Sequence, residues 1–243
     1  TNALSTIGDY IEEAMASWRV PGLALAVVKG DEVLHMQGYG VRDMASQEPI
    51  TPDTLFAVAS VSKAFTAMGA ALLVDDGLLE WDKPVRDYLP DFKVSDSYVS
   101  DKMTVRDLLC HRSGLPRHDL AWYGTPFERE KVIRNLAHLS FSHGFREVWQ
   151  YQNLMYVTAG YLVGKLTGTT WEDFTQQRIH HGAQLAQRVC RWHSFFKADV
   201  AEHRPLEVLV AFIFLVAVVA GWLQIVAADA DARRGFFNGL LIG

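Results

Sequence analysis

The chain has 243 residues, 49% of them apolar and 21% charged, enough to bury a substantial core and too apolar for a disordered acidic tail or a low-complexity polymer. Net charge is −5 and no basic run occurs, so nucleic acid is not an expected partner. Cys110 and Cys190 are the only cysteines, too few for a disulfide framework or a four-cysteine zinc site.

In chain order, Leu4, Ile7, Ile11, Ala14, Met15 and Trp18 recur at helical spacing, and Pro21-Gly22 ends that helix. Residues 23–28 and 32–39 are β-rich runs joined at Lys29-Gly30-Asp31, which predicts a hairpin. A turn follows at Thr51-Pro52-Asp53, then an Ala-rich apolar helix over residues 60–76, closed by Gly77. Thr104 with Asp107 and Thr170 with Asp173 read as capping boxes. Thr125-Pro126 with Glu128 combines a cap, a first-turn proline and a reciprocal acid, and predicts a third helix start. Residues 153–166 form an apolar helix stopped at Gly168. Asp75-Asp76 reads as a solvated helix end rather than a catalytic carboxylate pair. Strands early and helices later give an α+β chain without internal repeats.

After residue 179 the character changes. His180, His181, Cys190, His193 and His203 follow without a clear period. Residues 208–223 then carry no polar side chain, and the apolar stretch extends to 228. As a helix, 208–228 would span roughly 31 Å, about the thickness of a bilayer core. Lys197 and Arg204 before it and Arg233 and Arg234 after it set no orientation. Three readings stand: a buried core helix, a membrane helix within 206–228, or a tail that packs on nothing specific. Cys190 and His193 have no second pair at finger spacing, so no metal is expected.

The chemistry concentrates at Ser60-Val61-Ser62-Lys63. From Thr54 through Val74 the only charged residue is Lys63, in a helix otherwise built for burial. A lone buried ammonium is costly and points to a lysine that yields its proton readily. Ser60 and Lys63 are three apart and share a helix face, so the amine can activate the hydroxyl as a nucleophile; a snorkelling lysine beside a capping serine is the bland alternative. Further on, Tyr151-Gln152-Asn153 stands ahead of an apolar helix. A phenol beside a lysine can relay protons, and an asparagine amide can hold a substrate carbonyl; a plain helix cap at Asn153 with a packed Tyr151 is the bland alternative.

In this order, with "DKPVRDYLPDF" and "LLCHRSGLP" between them, these segments resemble the serine β-lactamase-like superfamily, in its class C β-lactamase, D-alanyl-D-alanine carboxypeptidase and esterase branch. The likeness covers residues 1–180. It implies a β-lactamase/transpeptidase-like fold and a serine hydrolase using no cofactor. Ser60, Lys63 and Tyr151 would be catalytic and Asn153 substrate-binding, with an ester or amide opened through a Ser60 acyl-enzyme. The substrate would be a β-lactam, a peptidoglycan-type peptide or a small ester. A periplasmic, secreted or membrane-associated location is implied, while the oligomeric state is not. His111, inside "LLCHRSGLP", is expected to be structural.

The family's third motif, K-T-G or H-x-G on a late strand that supplies one oxyanion donor, is not legible. Lys165-Leu166-Thr167-Gly168 has one residue too many and ends a helix, and His180-His181-Gly182 lies only 27 residues beyond Asn153. The chain therefore reads as a partial family domain over 1–180 joined to a divergent tail over 181–243. The alternative function is a catalytically weak or inactive binding module, attached to a membrane through 206–228.

Overall fold

The structure is a computed structural model that describes residues 6–30, 32–56 and 59–180. The apolar segment 206–228 and the residues His181, Cys190, His193 and His203 lie outside the described residues. Within them, no helix is long and apolar enough to cross a membrane. The chain divides into two compact units between Ala57 and Val58.

The first unit holds the helix α1 (Ile7–Trp18) and the predicted hairpin. Ile11 is the buried residue of α1, and Arg19 closes the helix in the left-handed region at φ 55°. Strands β1 (Gly22–Lys29) and β2 (Glu32–Gly40) pair antiparallel, Gly22 opposite Gly40 and Lys29 opposite Glu32, with an irregularity between Val27 and Val28. This is the only sheet among the described residues.

The second unit is helical and carries the chemistry-bearing motifs. A 3-10 turn (Ala59–Val61) leads into α2 (Ser62–Asp75), followed by α3 (Ser97–Lys102), α4 (Val105–Leu109), α5 (Arg129–Asn135), α6 (Leu154–Thr167) and α7 (Trp171–Phe174). Helix α6 is apolar nearly all round, the pattern of a buried helix. It packs on α2, α4, α5 and α7. Its N-terminal residues Leu154 and Met155 join a core with Phe92, Met103, Leu108, Leu115 and Leu136. Leu162 and Val163, further along, join a second core with Ala70, Leu73, Leu79, Val105, Trp171 and Phe174. Each fully buried side chain of this size contributes roughly 1.5–3 kcal/mol, so α6 ties the two clusters into one unit. Gly168, at φ 68°, ends α6, which makes Lys165-Leu166-Thr167-Gly168 a helix end and not a strand motif.

Of the three helix starts that paired cap residues mark in the sequence, two form as expected. At α4 the full capping box forms between Thr104 and Asp107, and at α7 the Thr170 hydroxyl accepts from the Asp173 N–H at 3.0 Å. The expected start at Thr125-Pro126 does not form. The Thr125 hydroxyl instead donates to the Trp122 carbonyl at 2.9 Å, and α5 begins after Glu128, which makes no side-chain cap. The Thr125 side chain is thereby tied to the turn behind it rather than to the start of α5.

Candidate active site

The site is assembled where the start of α2 meets the segment leading into α6. Ala59 occupies the left-handed region at φ 43°, an uncommon and strained conformation for a side chain with a Cβ, just ahead of Ser60. From there the chain turns into α2, which puts Lys63 one turn beyond Ser60. Packing of α2 on α6 brings Tyr151 and Asn153 to the same place.

Lys63 lies at the centre. An ammonium has three hydrogens to donate, and Lys63 Nζ has three acceptors: Ser60 Oγ at 3.2 Å, Tyr151 Oη at 2.6 Å and Asn153 Oδ1 at 2.7 Å. Ser60 Oγ and Tyr151 Oη are themselves 2.5 Å apart. All four residues singled out in the sequence thus meet within hydrogen-bonding distance. Burial works against ionisation of Tyr151, but the hydrogen bonds from Lys63 and Ser60, with the charges of Lys63 and Arg117, outweigh it. The phenol ionises below its ordinary range as a result.

An aromatic floor supports this cluster. Lys63 Nζ is 4.7 Å from the Tyr151 ring centroid and 5.4 Å from that of Tyr156. The His111 ring lies 4.6 Å from Tyr151 and 5.2 Å from Tyr156, tilted by 32° and 34°, and Trp149 meets it edge-on at 5.6 Å. Burial, then the charge of Lys63, lowers His111 to about 4, which leaves a neutral imidazole at pH 7. Its Nδ1 is accordingly free to accept the Gln152 N–H at 3.4 Å. Tyr156 donates to the Leu109 carbonyl at 2.7 Å, and burial above all pushes its phenol up to about 12. The Arg117 guanidinium sits over the Tyr151 ring at 5.4 Å and also bonds Asp119 at 2.8 Å.

Asp107 holds the two loops that carry these rings. Its carboxylate has no exposed surface, and it accepts from Arg112 at 2.6 Å and from Arg146 at 2.7 and 3.0 Å, besides the Thr104 N–H and hydroxyl. Burial opposes its charge; the Arg146 and Thr104 bonds and the Arg112 charge prevail and hold it below the usual carboxylate range. Backbone bonds complete the clamp, from Arg146 N–H to Arg112 O at 2.8 Å and from Gln150 N–H to His111 O at 2.7 Å. Gly114, at φ 81°, comes so near the 142–144 strip that a Cβ there would lie 2.3 Å from the His143 carbonyl oxygen.

Several of these groups were not singled out for the site by the sequence. His111 was expected to be structural, and it does support neighbours, but the neighbour it supports is Tyr151. Asp107 was legible only as half of a capping box. Gln152, Tyr156, Arg117 and Arg146 gave no signal beyond their closeness to the two loop motifs. Among the described residues no group of three or more His, Cys, Asp or Glu could hold a metal ion.

The family profile described as Beta-lactamase matches residues 7–186. The chain belongs to the beta-lactamase family. Among curated members it is 34% identical to unguisins hydrolase ungD' of Aspergillus campestris, over 70% of this chain and 33% of that one. It is 31% identical to penicillin-binding protein 4* of Bacillus subtilis, over 65% of this chain and 35% of the other. Among solved structures, D-amino acid amidase from Ochrobactrum anthropi superposes with a TM-score of 0.60 at 29% identity, covering 70% of this chain and 46% of the amidase. The β-lactamase/transpeptidase-like fold expected from the motifs is therefore that of the family. The chain spans about a third of the length of the curated members it matches.

Proposed function

We propose that this chain carries the nucleophile-bearing part of a serine hydrolase that opens an amide or ester through an acyl-enzyme on Ser60. One observation carries the reading: a single ammonium, Lys63, bonded at once to the Ser60 hydroxyl, the Tyr151 phenol and the Asn153 carbonyl. With Tyr151 inclined to ionise, the Ser60 hydroxyl has an acceptor 2.5 Å away for its proton. Ser60 Oγ then bonds to the substrate carbonyl carbon. The proton held on Tyr151 passes to the leaving nitrogen or oxygen as its bond to that carbon breaks, and water later releases the acyl group. Lys63 keeps the phenolate in place throughout, and Asn153, held by the same ammonium, orients the substrate. The hydrolase and amidase names of the relatives are in keeping with an amide or ester substrate.

A second reading has its own observation. Lys165-Leu166-Thr167-Gly168 ends a helix, and the helical unit that carries Ser60 contains no strand among its described residues. A site short of one oxyanion donor is slower by roughly 10²–10³; the second reading is a weak or inactive ligand-binding module over 1–180, with 181–243 as a divergent tail. Incubation with a fluorescent β-lactam and an activated phenyl ester, followed by intact mass and peptide mapping, tests both. The first reading expects covalent label on Ser60, its loss in Ser60→Ala and partial retention in Ser62→Ala. Label that survives Ser60→Ala overturns the assignment, and stoichiometric label without turnover favours the second reading.

A further inference from the structure

Asn153 stands at the N-cap position of α6 yet makes no side-chain cap bond. Asparagine is among the strongest N-caps, so an orphan amide of the first turn competes with Lys63 for Asn153 Oδ1. That competition is met by the preceding residue. Gln152, with no exposed surface, turns its own Oε1 onto the Met155 N–H at 3.0 Å. Among the described residues its buried Nε2 has no hydrogen-bond partner. An orphaned buried donor is unfavourable, and an apolar side chain would avoid it. The acceptor is therefore the part of Gln152 that does something here.

We propose that Gln152 is a positioning residue: by capping α6 in place of Asn153, it leaves Asn153 Oδ1 for Lys63. The inference rests on the reading of Lys63 and Asn153 as site residues, but its test does not require turnover. Gln152→Met keeps the length and removes the acceptor. In that variant Asn153 turns back to the Met155 N–H and leaves Lys63.

The readout is the side-chain amide signal of Asn153 in a ¹⁵N spectrum, assigned by its absence in Asn153→Ala. In the parent, Lys63→Ala shifts this signal, because it removes the donor to Oδ1. In the Gln152→Met background the same substitution leaves it unmoved. A shift of equal size in both backgrounds overturns the proposal, whatever the Ser60 labelling shows; loss of Ser60 labelling in the parent would instead count against the catalytic reading. Gln152→Glu retains the acceptor and the shape, next to a helix start that favours an anion. It keeps the Asn153 signal and its response to Lys63→Ala, and an Asn153 signal displaced in this variant also overturns the proposal, even if Gln152→Met does not fold.

Discussion

Helix α4 begins after Thr104 and helix α6 after Asn153, two residue types that ordinarily close a helix start with their own side chains. At α4 that is what happens: Thr104 and Asp107 bond reciprocally, and Asp107 adds Arg112 and Arg146. At α6 the cap is left to Gln152, while Asn153 faces Lys63. The α4 start directs its polar atoms to holding the loops, and the α6 start directs Asn153 to Lys63 in the candidate site. A local rule kept marks scaffold here, and a local rule broken marks the candidate site.

Substitutions on the two sides should therefore separate activity from stability. The largest effect is expected at Lys63. Both Lys63→Ala and Lys63→Arg should slow acylation of Ser60 by about 10²–10⁴, because alanine removes the donor and a planar guanidinium lacks the compact three-way geometry. An arginine variant acylated at nearly the parent rate would break the comparison. On the scaffold side, Asp107→Asn should lower the urea-derived unfolding free energy by about 2–3 kcal/mol, less than for a fully buried pair because both guanidiniums are partly exposed. An unchanged midpoint would show that the clamp does not hold the loops.

His111 sharpens the same contrast through pH. It sits at about 4 in the fold, against about 6.5 in an unfolded chain. Between those values the unfolded state binds more protons, so stability falls as pH drops from about 6.5 towards 4. His111→Asn, which tolerates the left-handed backbone at φ 54°, should flatten that limb when denaturation is compared at pH 7 and 4.5. The smallest effect is expected at Arg117, whose charge helps Tyr151 ionise. Arg117→Gln should move the alkaline midpoint of acylation to higher pH; a move to lower pH would contradict its role.

The reach of the sequence followed the range of the interactions. The hairpin at β1 and β2, the helix ends at Gly77 and Gly168, and the box at Thr104 rest on contacts within a few residues, and all were legible. Ser60 and Lys63 were legible because one helical turn fixes their distance. That Tyr151 and Asn153 meet them depends on α2 packing against α6, some ninety residues apart in the chain, and only the resemblance to known motifs carried that expectation. The helix start expected at Thr125 does not form, and the bond that ties its hydroxyl to the turn behind it is one the sequence pattern does not show. The second use of Asp107 was hidden because Arg146 lies 39 residues away. His111 was half legible: its motif marked it as important, but nothing in one dimension brings its ring under Tyr151.

The most direct test is the pH dependence of Ser60 acylation in the parent and in Tyr151→Phe. The parent rate is predicted to rise with pH to a midpoint below the ordinary phenol value near 10, as Tyr151 loses its proton to become the acceptor for Ser60. Tyr151→Phe, which keeps the ring and removes only the hydroxyl, should lose that rise and fall by about 10²–10⁴ in rate. A phenylalanine variant that retains the parent's rate and its alkaline rise would show that the proton of Ser60 leaves by another route.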